Sequence, residues 1–380
     1  MALARRSPRP IYLDYQATTP VDQRVVTLMV EMMTTMFGNA NSREHAFGLE
    51  AMEIVDTARR EVASLVEASP EDVLFCSGAS EGLRLAIDHF LLARSAGPLR
   101  VVVSPVEHPA VYDALESLPT ERTSFEEVAV NRRGQVDLES LAKQLKDPAD
   151  LVCIMAANNE IGTIYPTQQI AGLARRAGAL TLVDGTQAVG KIPVRYSGWG
   201  LTYLVLSAHK LYGPKGIGAL VGPRFGKNAW KRQATHNVPG IAGLGEACRL
   251  RQLEMKEDEA LIRLRRDRLQ ASLLSRIPDL VVNGDPAARL AGSLHISISG
   301  VPADAILARL LDQVAISTGA ACSSGAEQPS HVLAAIGLDP ALAEGSMRIS
   351  LGKPTSDRDI DTAIDAICYA ISGVRALVGA

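Results

Sequence analysis

Leu204-Val-Leu-Ser-Ala-His-Lys-Leu-Tyr-Gly-Pro-Lys-Gly-Ile-Gly-Ala-Leu220 is the stretch from which the fold can be read. Tyr203 to Leu206 is an apolar run of strand length, Gly213-Pro214 and Gly216 mark turns, and Ile217 to Val221 resumes as a second strand. Lys210 therefore stands at a strand exit, directly before a turn. A lysine held there in a partly dry pocket can lose its proton and attack a carbonyl carbon. Most lysines are solvent-exposed, so a single lysine settles nothing and the case rests on the surrounding chain.

Composition narrows the field. The 380 residues are enough for two domains, or for one large domain with an appendage. A hydrophobic share of 47% with 21% charged residues is that of an ordinary globular protein. The net charge of -3 offers no footprint for nucleic acid or an anionic membrane surface, so direct contact with either is not expected. The five cysteines are scattered, odd in number and without a C-x-x-C pair. A disulfide framework or a metal site is not expected from that pattern, and a reduced, cytoplasmic setting is. The N-terminal segment has basic residues but no apolar core behind them, and no run approaches the length of a membrane span.

Outward from the opening stretch the grammar is α/β. Strands are expected at Val73 to Cys76, Arg100 to Ser104, Ser124 to Val130, Asp150 to Ala156 and Leu180 to Asp184. Helices are expected at Val25 to Met36, Glu50 to Leu65, Glu81 to Leu92, Leu138 to Leu145 and Gln168 to Ala177. Alternation of this kind implies a mostly parallel sheet flanked by helices, with ligands bound beyond the C-terminal strand ends. From Glu254 the texture changes to a charged helix reaching Arg276. Short strands follow, among them Leu294 to Ser299, then helices at Ala303 to Leu311 and Asp357 to Leu377. The expected division is a large domain over 17–253 and a smaller α+β domain from 1–16 and 254–380.

The polar residues at the strand ends form a set. Small residues at Ser77-Gly78-Ala79-Ser80 precede a helix, and exposed backbone N–H groups there can cradle a phosphate. Ala79, Ser80, Ser207 and His209 are the candidate phosphate ligands. Asp184 can hold a ring nitrogen protonated, His108 can stack on a ring, and Asn159 and Gln187 can bond ring substituents. With Lys210 as tether, these are the partners that pyridoxal phosphate needs. Asn39, in the Gly38 to Ser42 loop, is a further residue able to approach a ligand.

The chain resembles the cysteine desulfurases of the NifS/IscS type, within the class-V aminotransferases of fold-type I. The resemblance is carried by Leu13-Asp-Tyr-Gln-Ala-Thr-Thr19, Gly38-Asn-Ala-Asn-Ser42, Ser77-Gly-Ala-Ser-Glu81, Glu107-His108, Asn158-Asn-Glu-Ile-Gly162, Val183-Asp-Gly-Thr-Gln187, Ser207-Ala-His-Lys210, Ser317-Thr-Gly-Ala-Ala-Cys-Ser323 and Met347-Arg-Ile-Ser-Leu-Gly352. It implies a pyridoxal phosphate enzyme that removes sulfur from L-cysteine, gives L-alanine and leaves a persulfide on Cys322. In that reading Lys210 and His108 share the proton chemistry, and Arg348, with Asn159 and Asn39, receives the substrate. The enzyme is expected to be a homodimer, with Thr235 reaching the partner's phosphate. It is expected to hand sulfur to acceptor proteins that serve iron–sulfur clusters, tRNA thiolation or DNA phosphorothioation.

Cys322 has a reason of its own. It lies in Thr318-Gly-Ala-Ala-Cys-Ser-Ser-Gly325, a run of small residues with no apolar period, which reads as a loop. The sequence departs from the family pattern at Ser80, where threonine is common, at Gly82-Leu-Arg84, and in a shortened segment between Gly222 and Thr235. The competing readings are another class-V aminotransferase or lyase, and a non-catalytic scaffold of the same fold that relays sulfur.

Overall fold

In the computed structural model, which describes residues 9–94, 96–223, 235–318 and 330–379, the apolar runs quoted above join in one seven-stranded sheet. Its order across is Val73–Cys76, Gly218–Val221, Tyr203–Ser207, Leu180–Asp184, Leu151–Met155, Leu99–Val103 and Thr123–Glu127. Gly218–Val221 runs antiparallel to both of its neighbours. The remaining pairs are parallel.

Alternate residues feed two different cores, as the period of a strand requires. Val102, Val152, Ile154, Val183, Leu204 and Leu206 pack on one face. Val101, Val103, Leu151, Leu182, Tyr203 and Val205 pack on the other. Helices cover both faces, which is why the central strands read as unbroken apolar runs rather than alternating ones. Thr123–Glu127 is the exception; its Thr-Ser-Phe-Glu-Glu sequence is largely exposed, as suits a sheet edge.

A second, antiparallel sheet has the order Ser317–Thr318, Ser346–Ser350, Ser293–Ser297 and Val281–Asn283. Leu294, Ile296, Met347 and Ile349 build a separate core there with Ile360, Ile364, Ile367 and Ile371 of the Asp357–Val378 helix. The N-terminal strand Ile11–Tyr12 pairs with Val314–Ala315. That places the segment from Asp14 to Thr19 between the two sheets.

Two expectations change. The charged helix expected at Glu254 begins earlier and runs unbroken over Val238–Arg276. Its first half is apolar and small because it packs against the helices Gln23–Thr34 and Ala46–Leu65; a Cβ on Gly245 would lie 2.5 Å from the Cα of Ala58. One helix with two environments thus reads as two textures. The second change is a helix over Pro109–Leu115, too short to show a periodicity, started by His108 as its cap and by Pro109 in its first turn.

Candidate active site

Beyond the C-terminal ends of the parallel strands lies a cavity of about 570 Å³. Strand Tyr203–Ser207 ends at its mouth and passes into a single 3-10 turn, Ala208–Lys210, which turns Ser207, His209 and Lys210 into the wall together. The turn is pinned from the N-terminal segment. The backbone N–H and the hydroxyl of Thr19 both donate to the His209 carbonyl, at 2.8 and 3.0 Å. Lys210 Nζ donates to the carbonyls of Gln16, at 2.5 Å, and Ala17, at 2.8 Å.

Beside Ser207 lies the N-terminus of the Ala79–Ala93 helix. Among the described residues no side chain caps it, which leaves the N–H groups of its first turn available, and Ser77, Gly78, Ala79 and Ser80 at its start line the cavity. The turn can lie this close because Gly218 lacks a side chain; a Cβ there would sit 2.8 Å from the Cα of Gly78. Asp184 closes its strand at the cavity floor, 7% exposed, and accepts from the Thr186 N–H at 2.9 Å. Among the described residues no lysine or arginine forms an ion pair with it.

His108 enters from the opposite side. Its Nδ1 accepts the Ala110 N–H at 3.2 Å, which leaves the proton of the neutral ring on Nε2. Burial holds its pKa below the usual histidine value, against the pull of Asp184. His209 is also held neutral, with its pKa pushed down to about 4 by burial and then by Lys210, Lys215 and Lys191. Beneath His108, Glu107 is buried, accepts from the Met155 N–H at 2.6 Å, and has its pKa pushed well up by burial and by Asp184. Asn158 shapes the neighbouring turn, accepting from the N–H groups of Glu160 and Ile161, and thereby presents Asn159 to the cavity.

Ala79, Ser80, His108, Asn159, Asp184, Gln187, Ser207, His209 and Lys210, all singled out in the sequence, share this wall. Asn39 and Thr235 do not; both are exposed and lie outside it. Arg348 sits behind the wall rather than in it. It donates to the Asn159 carbonyl at 3.1 Å and pairs with Asp14 at 2.9 Å, and its Nε has no partner among the described residues. Cys322 lies outside the described residues. Thr18, Thr186 and Lys215 line the cavity without having been assigned a role there. The one signal available for Thr18 was the polarity of its segment.

The sequence matches the profile of the family described as Aminotransferase class-V over residues 11–227 and 223–362. The chain belongs to the class-V aminotransferase family. A cysteine desulfurase from Frankia sp. (strain EuIK1) is 41% identical over 392 residues, covering 97% of this chain and 92% of the relative. A cysteine desulfurase IscS from Rickettsia rickettsii (strain Iowa) is 36% identical over 380 residues, again with 97% and 92% covered. Among solved structures, a NifS-like protein has a TM-score of 0.88 at 30% sequence identity, covering 96% of this chain and 100% of the other.

Pyridoxal phosphate is the cofactor of this class-V family, and the cavity suits it. Asn159 Oδ1 and Thr186 Oγ1 are buried in the wall without a hydrogen-bond partner among the described residues, which a polar ligand would supply. An uncapped helix N-terminus suits a phosphate. A carboxylate without a cation suits a protonated ring nitrogen.

Proposed function

We propose that this chain is a cysteine desulfurase that acts on L-cysteine and carries the extracted sulfur as a persulfide on Cys322. The observation that supports it most directly is the meeting of Lys210, Asp184 and an uncapped helix N-terminus in one cavity. Ala79, Ser80, Ser207 and His209 would hold the phosphate of pyridoxal phosphate, Asp184 its ring nitrogen, Gln187 and Asn159 its ring oxygen, and Lys210 its aldehyde carbon. Once bound, the cofactor supplies an electron sink for the carbon skeleton of the amino acid.

The protein's own groups supply the rest. Lys210 Nζ, held at the carbonyls of Gln16 and Ala17, takes up and returns the substrate's Cα proton. The Nε2–H of neutral His108 is a second proton donor on the cavity wall. Arg348, by the family resemblance the receiver of the α-carboxylate, would have to turn from Asp14 and the Asn159 carbonyl to reach it. The Cys322 thiolate attacks the substrate sulfur. A sulfur–sulfur bond forms and the carbon–sulfur bond breaks with its electron pair left on carbon, which is protonated to give L-alanine. No outside oxidant or reductant enters.

We read residues 17–253 as the cofactor-binding domain, and 1–16 with 254–380 as the domain bearing the Cys322 segment. We also read the protein as a homodimer working in the cytoplasm with sulfur-acceptor proteins. Exposed Phe37 and Phe47, with ring centroids 5.4 Å apart, offer an apolar face for a second copy. Among the described residues, no helix is long and apolar enough to cross a membrane.

The test is direct. The purified protein should show the visible absorbance of bound pyridoxal phosphate and should convert L-cysteine to L-alanine and, with a thiol, sulfide. Lys210→Ala should lose the absorbance, whereas Lys215→Ala should keep it. Cys322→Ala should keep the absorbance and lose sulfur release; native sulfide production by that variant would sink the reading.

A further inference from the structure

The strand that ends at Asp184 is followed by a compact turn. The N–H groups of Ala188 and Val189 both donate to the Gly185 carbonyl, and those of Lys191 and Ile192 both donate to the Ala188 carbonyl. Side chains four apart on such a turn fall on one side. Gln187 and Lys191 do so: Lys191 Nζ donates to Gln187 Oε1 at 2.8 Å. The other end of the same amide, Nε2, donates to the Gln16 carbonyl at 2.9 Å. That carbonyl also receives Lys210 Nζ.

The orientation of the Gln187 amide follows from these partners. A backbone carbonyl can only accept, so the end facing Gln16 must be the NH₂ group. Oε1 then faces Lys191. Gln187 is 4% exposed, so Oε1 would be a buried acceptor without a donor if the lysine were absent. Of the two N–H bonds on Nε2, one is used by Gln16. The second remains for the cavity, whose wall Gln187 helps to form.

We propose that Lys191 is a positioning residue: by holding Gln187 Oε1 it fixes the amide so that an N–H, not a carbonyl, meets the ring oxygen of the bound cofactor. The inference rests on pyridoxal phosphate occupying the cavity. It assigns a task to a residue that itself lies outside the wall.

The surroundings of Lys191 are built to keep it there. Arg251, on the long Val238–Arg276 helix and 1% exposed, donates to the Gly190 carbonyl at 2.7 Å and so anchors the turn. The same arginine pairs with Glu259 at 3.1 Å, which places a carboxylate in the electrostatic reach of Lys191. Burial first, and Lys210 second, pull the Lys191 pKa down to about 7, against the pull of Glu259. Charged or neutral, the amine keeps N–H bonds to donate, so the hold on Oε1 survives its titration. Arg251 and Arg348 are the other cations acting on it.

A double-mutant cycle on the holoenzyme tests this. Lys191→Met removes the donor and keeps an apolar stem, and Gln187→Ala removes the amide. Two quantities are read on each variant: the dissociation constant of pyridoxal phosphate, and the pH midpoint of the visible absorbance of the bound cofactor. Lys191→Met should weaken binding by about tenfold, the loss of one hydrogen bond to a buried acceptor, and should move the midpoint. Lys191→Arg should restore both. In the Gln187→Ala background, Lys191→Met should cost nothing more. Full additivity of the two losses, or an unchanged midpoint with a lowered melting temperature alone, would make Lys191 a stability residue and overturn the inference. A wild-type protein that binds no pyridoxal phosphate would overturn the underlying reading instead.

Discussion

Glu160 is buried against Ser330, and its protonation should be visible in the stability of the whole protein. It is 4% exposed and accepts from Ser330 Oγ at 2.5 Å. Ser330 in turn caps the His331–Ala335 helix. Burial raises the Glu160 pKa from 4.5 to about 7, against the Ser330 hydrogen bond and Arg348. The folded state therefore binds a proton that the unfolded state has released, between pH 4.5 and pH 7. Stability contributed by this group is intact below the lower value, declines as pH rises, and levels off above the higher one. Between pH 5 and pH 8 the linkage amounts to about 2.5 kcal/mol. Glu160→Gln can still accept from Ser330 but has no proton to lose. The melting temperature of the wild type minus that of the variant should fall by about 3 °C between pH 5 and pH 8 in this 380-residue chain. Calorimetric scans at equal pyridoxal phosphate concentration measure it. A difference that does not change with pH would mean that Glu160 is ionised throughout, and the role given to burial would be wrong.

Other outcomes follow from the same geometry. Asp184→Asn keeps an acceptor for the Thr186 N–H but loses the charge, and steady-state turnover of L-cysteine should fall by about ten- to a hundredfold. His108→Phe keeps a flat ring and removes Nε2–H. Cofactor affinity should stay within about fivefold while turnover drops by about a hundredfold, and equal losses in both would remove His108 from the proton chemistry. Gly218→Ala would place a Cβ 2.5 Å from the Leu206 carbonyl oxygen. That overpacking should lower stability by about 1–3 kcal/mol and weaken pyridoxal phosphate binding through the displaced Gly78 turn, both measurable by thermal melts and equilibrium dialysis.

The legible part of this protein was local. Tyr203 to Ser207 could be read as a strand and the turn after it as the place of a lysine, because apolar runs and glycines act through neighbouring backbone. Asp184 and the Ser77 to Ser80 turn could be named for the same reason: each sits at the end of an element whose length the sequence shows, whereas His108 lies past the strand Leu99–Val103 and caps a helix the sequence did not show. The long helix Val238–Arg276 was half missed, since its two halves meet different surroundings and periodicity reports surroundings. The Pro109–Leu115 helix was missed because two turns are too few to show a period.

The sequence by itself determined the alternation of strands and helices, the cofactor class and the residues at the strand ends, since those depend on spacing along the chain. Tertiary structure decided which of them meet. Arg348 proved to be engaged with Asp14 and the Asn159 carbonyl behind the wall. Lys191 proved to grip Gln187, whose other end shares a carbonyl with Lys210. Apart from Lys191 and Gln187, which are four residues apart, those contacts join segments 171 to 334 residues apart, and hydrogen-bond direction across such a gap exists only once the chain has folded.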